Sequence, residues 1–220
     1  IQGISEFLPV SSSAHIYLIS EIYQFRSQSL MTDVALHLGS LIAIIFFFRN
    51  ELINIFENKN LLYLLVLGSV PLIIVGLLIF STGLINNLRN LEVVAWTTLI
   101  FAIILFIADK FRVRKKLNKN LNIKSILFIG LFQILSIIPG VSRSGIVITA
   151  GRFLNFDRFD STKISFYLSI PALAGASILT LKDLTYETIN FNIVILFAII
   201  FSFIVSYLSI KYFLIFTKKF

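Results

Sequence analysis

The 220-residue chain contains no cysteine, which excludes thiol redox chemistry and a disulfide scaffold. Charge is scarce too: 14% of residues are Asp, Glu, Lys or Arg and 57% are apolar, against about 25% and 45–50% in soluble domains. That balance excludes a soluble globule, a coiled coil and a disordered chain. Strand-period alternation is missing, so a barrel is excluded. What is present instead is apolar sequence in long blocks, such as positions 61–88 with no charged side chain. The chain is predicted to be an all-α polytopic membrane protein. A net charge of +8 suggests nucleic acid, but seven of the 19 Lys and Arg lie between Lys110 and Lys124 in one interhelical loop. A basic loop there sets membrane orientation, so no nucleic-acid partner is expected. The chain opens on Ile1 without a basic leader, and reads as part of a longer protein.

About 20 apolar residues span a 30 Å hydrocarbon layer. Segments 34–48, 61–80, 93–108, 164–181 and 191–210 are the predicted spans. Two more apolar segments, 2–23 and 125–154, are broken by Pro9-Val10-Ser11-Ser12-Ser13 and by Pro139-Gly140-Val141-Ser142-Arg143-Ser144. Proline frees backbone groups that lipid cannot satisfy, so each is read as a re-entrant helical hairpin; a proline-kinked spanning helix is the plainer alternative. Gln2, Ser5, Val10, Ser11 and Ser13 recur as Gln133, Ser136, Val141, Ser142 and Ser144 at one offset of 131. This predicts a single transmembrane domain built as an inverted repeat, the first copy over about 1–108 and the second over about 125–220. Charge tests the topology separately. With loop 109–124 inside, the inner loops (49–60, 109–124, 152–163, 211–220) hold 15 Lys and Arg; the outer ones (24–32, 81–92, 182–190) hold Arg26, Arg89 and Lys182. The first hairpin then enters from outside and the second from inside.

Ionisable groups at membrane depth are functional candidates because burying them costs about 2.5–3.5 kcal/mol each. Glu6 and His15 flank the triple serine, and Arg143 sits at the second break. Arg143, Ser142, Ser144 and the amides of a helix start suit an anion such as phosphate, with Gly140 and the serines as further binding positions. Ser11, Ser12 and Ser13 precede His15, pairing a candidate nucleophile, Ser12, with a general base. Gln2 and Glu6 are four apart on one helical face, where both oxygens can address one hard divalent cation. These are parts for phosphoryl transfer. The plainer reading has Glu6 and Arg143 merely neutralising each other. His37, alone among apolar neighbours, is read as structural, and Phe46-Phe47-Phe48 as bilayer anchoring.

Gln2-Gly-Ile-Ser-Glu6-Phe-Leu-Pro9-Val-Ser11-Ser12-Ser13-Ala-His15 resembles the signature E/Q-G-x-x-E-F-L-P-V-S-S-x-x-H of the undecaprenyl-diphosphate phosphatase, or bacitracin-resistance, family. Pro139-Gly140-Val-Ser142-Arg143-Ser144-Gly145 resembles its second signature, and the likeness extends through Gly151, Arg158, Ser165-Phe166 and Pro171. The resemblance implies a membrane enzyme that hydrolyses undecaprenyl diphosphate to the monophosphate, recycling the lipid carrier of the bacterial cell wall. It implies roles in catalysis or phosphate binding for Glu6, His15 and Arg143 and puts Ser11 and Ser12 in the nucleophilic region; with the spacing, Glu6, Ser12, His15 and Arg143 are the expected catalytic residues, and Ser11, Ser13, Gly140, Ser142 and Ser144 are expected to bind substrate. A divalent cation, Mg or Ca, would sit on Glu6 and Gln2. It further implies an inner-membrane location with the site open to the periplasm. Val147 stands where the family signature continues to threonine, and Thr149, about 200° further round a helix, is not expected to replace it. The family also tends to carry a neutral polar residue at the position of His37. The rival from another class is a transporter or flippase of a polyprenyl phosphate, which broken helices and inverted repeats would also serve. A catalytically dead relative is a third reading, raised by Val147.

Overall fold

The computed structural model describes residues 1–12, 14, 15, 30–82, 90–184 and 193–219. Ser13, the end of the first broken segment and most of the three predicted outer loops lie outside these residues. The helices are α1 (Gln2–Ser5), α2 (Leu30–Phe47), α3 (Arg49–Glu57), α4 (Lys59–Thr82) and α5 (Leu91–Asp109). They continue as α6 (Leu117–Asn120), α7 (Ile123–Ile134, extended by a 3-10 turn Leu135–Ile137), α8 (Arg143–Phe153), α9 (Arg158–Leu184) and α10 (Ile193–Lys219). No strand occurs among the described residues. The protein is therefore all-α, as its composition requires.

Among the described residues, four helices carry stretches long and apolar enough to cross a bilayer: Lys59–Ile79, Leu91–Asp109, Arg158–Leu179 and Ile193–Lys219. A fifth crossing arises if α2 and α3, bent by 73° at Phe48, form one broken span. This is a multi-pass membrane protein. All five predicted spans coincide with helices, but with shifted ends. Segment 49–60, predicted as a loop, is largely the helix α3. Segment 164–181 begins six residues earlier, at Arg158, because a polar first turn can still be helical when charges are free to leave the lipid. Segment 191–210 runs past Lys211 to Lys219, and so the inner loop 211–220 is helical for most of its length.

The core is aromatic and aliphatic. Phe7 meets Phe166 edge to face at 5.5 Å, and Phe48, at the bend, meets Tyr167 at 5.2 Å. Ile126, Ile129, Ile164 and Leu168 are fully buried beside them. Between helices in lipid there is little hydrophobic drive, so close backbone approach and hydroxyl contacts carry the association. At the α2–α10 seam a Cβ on Gly39 would lie 2.5 Å from the Ile199 carbonyl oxygen. Ser40 exchanges hydrogen bonds with Ser202 (3.2 Å) and Ser206 (3.0 Å), while Ser202 donates to the Leu36 carbonyl at 2.7 Å. α1 leans on the same helix: a Cβ on Gly3 would stand 2.9 Å from Ser206 Oγ.

The cation-rich loop after α5 is tied down by α8 and α9. Arg152 is buried and donates to the carbonyls of Phe156 (2.6 Å), Asp109 (2.7 Å) and Phe111 (2.8 Å). Arg158 grips the Asp109 carboxylate with two donors, at 2.8 and 2.5 Å. Asp157 beside Lys116 holds that ammonium above its usual range.

Candidate active site

The second break is built by a helix start. Ile138 ends the preceding turn, and Gly140 follows with φ +90°, a left-handed conformation open to glycine at little cost. Ser142 caps α8, its Oγ accepting from the Gly145 N–H at 3.2 Å. Arg143 and Ser144 thus occupy the first turn, where backbone N–H groups lack helical acceptors. The tip is clamped from α5: Thr97 donates to the Pro139 carbonyl at 2.6 Å and Thr98 to the Gly140 carbonyl at 3.1 Å. These two threonines escaped the sequence reading; adjacent hydroxyls in an otherwise apolar span were the available signal. Gly140→Ala would force φ strain of about 1–3 kcal/mol and set a Cβ 2.0 Å from Thr97 Oγ1. The expected result is a lowered unfolding midpoint in detergent together with most activity lost.

At the first break, α1 ends at Ser5 and the chain turns through Pro9 into a new helical turn from Ser11. Ser11 Oγ accepts from the Ala14 N–H at 3.2 Å, the same cap bond, 131 positions earlier, that Ser142 makes with Gly145. His15 Nδ1 lies 2.6 Å from the Ser11 carbonyl oxygen. A carbonyl only accepts, so Nδ1 carries the proton and, in the neutral ring, Nε2 bears the lone pair.

The two breaks meet. Arg143 Nη2 lies 2.6 Å from Glu6 Oε1, with side-chain exposures of 16% and 9%. Ser144 donates to the Leu8 carbonyl at 2.5 Å and exchanges a hydrogen bond with Ser142 at 3.1 Å. Glu6 Oε2 accepts from Gln2 Nε2 at 2.8 Å, and that same nitrogen lies 3.4 Å from His37 Nδ1. Beside this half-buried chain lies a cavity of about 150 Å³ whose lining includes Ser11, His15, Thr98, Gly140, Ser142 and Thr149. Arg143, Glu6 and Ser12 are not among its lining residues, and no hydrogen bond joins Ser12 to His15 among the described residues. The structure therefore assembles the candidates as two adjoining groups, an ion-pair chain and a hydroxyl-imidazole cavity that share the start of α8.

Position 147 lies away from the cavity. Val147 is buried in the apolar core, while Thr149 lines the cavity and donates to the Gly145 carbonyl at 2.7 Å. Residues 147 and 149 are about 200° apart round the helix, and the side of α8 toward the cavity carries Gly145, Ile146 and Thr149 rather than Val147. Val147→Thr is expected to change phosphate release by less than about twofold, its hydroxyl bonding the carbonyl one turn back. Activity that appears only with threonine would support the dead-relative reading.

The fit to a cation is poor as the side chains stand. Gln2 presents its amide nitrogen to Glu6, both Glu6 oxygens are engaged, and a guanidinium sits 2.6 Å away. Among the described residues no group of three or more His, Asp or Glu converges.

The matched family description, "Bacitracin resistance protein BacA", covers residues 1–220. The chain belongs to the BacA family. It is 57% identical over 221 residues to the undecaprenyl-diphosphatase of Pelagibacter ubique, covering 100% of this chain and 86% of that protein. It is 44% identical over 199 residues to the undecaprenyl-diphosphatase of Elusimicrobium minutum, covering 86% of this chain and 76% of that one. The protein of the same name from Alteromonas mediterranea is 38% identical over 229 residues, covering 97% and 85%. This chain brings Arg143 and Glu6 together across 137 positions, with His15 on the adjoining cavity.

Proposed function

We propose that the chain hydrolyses undecaprenyl diphosphate to undecaprenyl phosphate and inorganic phosphate. The observation that carries this reading is the junction of Arg143 and Glu6 at the start of α8, beside a cavity lined by His15. A diphosphate entering there meets a fork of N–H donors, unpaired helix-start amides and the Ser142 and Ser144 hydroxyls. The terminal phosphate would draw the Arg143 guanidinium partly away from Glu6. His15 Nε2 takes a proton from an attacking water as the water oxygen bonds to the terminal phosphorus. The bridging oxygen leaves with the lipid monophosphate, and the proton returns to a phosphate oxygen. Water is favoured over Ser12 as nucleophile because His15 faces the cavity and Ser12 is not hydrogen-bonded to it.

A divalent cation is assigned to the substrate rather than to the free protein: carried by the diphosphate it would neutralise phosphate charge, whereas Glu6 and Gln2, each engaged with its neighbour, offer no cradle for it. We place the protein in the bacterial inner membrane with the site facing outward, on the 15-to-3 charge bias between the two sets of predicted loops. Re-entrant hairpins and an inverted repeat are supported by the matched cap bonds of Ser11 and Ser142 and by the packing of α7 on α8. The relatives are named for a diphosphatase, and the transporter reading gains nothing from them.

The test is inorganic phosphate release from farnesyl diphosphate by the detergent-solubilised chain. Release that stops with chelator and returns with Mg or Ca is expected, without detectable cation binding to the free protein. A transporter releases no phosphate in detergent, so silence there would reject the reading.

A further inference from the structure

The residue left unexplained is His37, on α2, in contact with the amide of Gln2. An amide nitrogen only donates, and Gln2 Nε2 faces both Glu6 Oε2 at 2.8 Å and His37 Nδ1 at 3.4 Å. His37 Nδ1 must therefore accept, which makes this ring neutral with its proton on Nε2. The two histidines of the chain are thus in opposite tautomers, since His15 carries its proton on Nδ1. Turning the Gln2 amide over would set its oxygen 2.8 Å from a carboxylate oxygen, two acceptors face to face. The Glu6 carboxylate thus sets the orientation of the amide, and His37 Nδ1 is placed to accept its second N–H.

We propose that His37 is a positioning residue: through Nδ1 it holds the Gln2 amide with its NH2 toward Glu6, and so keeps the Glu6 carboxylate in place when Arg143 turns to phosphate. This rests on the phosphatase reading. Glu6 has one oxygen on Arg143 and the other on Gln2. When substrate competes for the guanidinium, the Gln2 bond is the remaining identified restraint on the carboxylate. α2 supplies the fixed support, because the Gly39 and Ser40 seam locks the turn after His37 to α10.

Two measurements test this. In the phosphate-release assay, His37→Leu should lower kcat about tenfold with KM nearly unchanged. His37→Asn, whose Oδ1 can take the place of Nδ1, should recover most of the loss. Gln2→Leu should cost about as much as His37→Leu, and the double variant no more than either. Additive losses, or His37→Leu at the wild-type rate, would overturn the proposal. The second measurement needs no turnover: 15N NMR of histidine-labelled protein, with signals assigned by single substitution of His15 and His37. An unprotonated Nδ1 at His37 that shifts in Gln2→Leu is expected; a protonated Nδ1 would end the proposal even in an active enzyme. If wild-type protein releases no phosphate while the tautomer is as expected, the functional reading fails and the contact stands.

Discussion

Arg143→Ala is expected to reduce phosphate release by about 10³-fold or more, the scale seen when a guanidinium that stabilises a phosphoryl transition state is removed. Arg143→Lys should recover little, because a point charge cannot reproduce the fork. The alanine variant also leaves Glu6 buried without its partner, a change that costs about 3–5 kcal/mol when an ion pair loses one member in a low-dielectric site. Folding and chemistry can be separated by adding Glu6→Gln, which removes the orphaned charge. The double variant should regain the wild-type unfolding midpoint in detergent and remain inactive. Release at the wild-type level in Arg143→Ala would take this residue out of the centre.

His15→Gln should lower kcat by about 10²–10⁴-fold, the usual contribution of a positioned general base. Glutamine can keep a hydrogen bond to the Ser11 carbonyl and lacks a basic nitrogen on the cavity side. Ser12→Ala supplies the contrast. With water as nucleophile it should retain release within about tenfold of wild type; a dead Ser12→Ala variant would transfer the nucleophile to the serine.

The helices were legible because apolar runs of bilayer length allow few alternatives. Their ends were not. Hydropathy falls at Lys211, yet α10 continues, since a long side chain can carry its charge away from the lipid while its backbone stays helical. α3 was invisible for a related reason: its sequence, Arg49 to Glu57, is polar enough to pass for a loop, and the bend at Phe48 is set by packing against Phe166 and Tyr167. At the site, charge at depth led to Glu6, His15 and Arg143. Partnerships across the chain were harder. The Gln2–Glu6 pair was visible from its spacing, but not that the amide would give its nitrogen to the carboxylate beside His37, 35 positions away. Thr97 and Thr98 act through carbonyls of a tip 42 positions on, a contact no local pattern encodes.

The glycine joint between α2 and α10 reaches further than its own contact. α1 rests on α10 at Gly3, one residue from Gln2, and α2 is pressed to the same helix two residues from His37. A single shaft thus sets the height of two members of the polar chain. Widening it with a methyl group at Gly39 should misalign chemistry at Glu6 while touching no substrate, a remote adjustment screw made from the absence of a side chain.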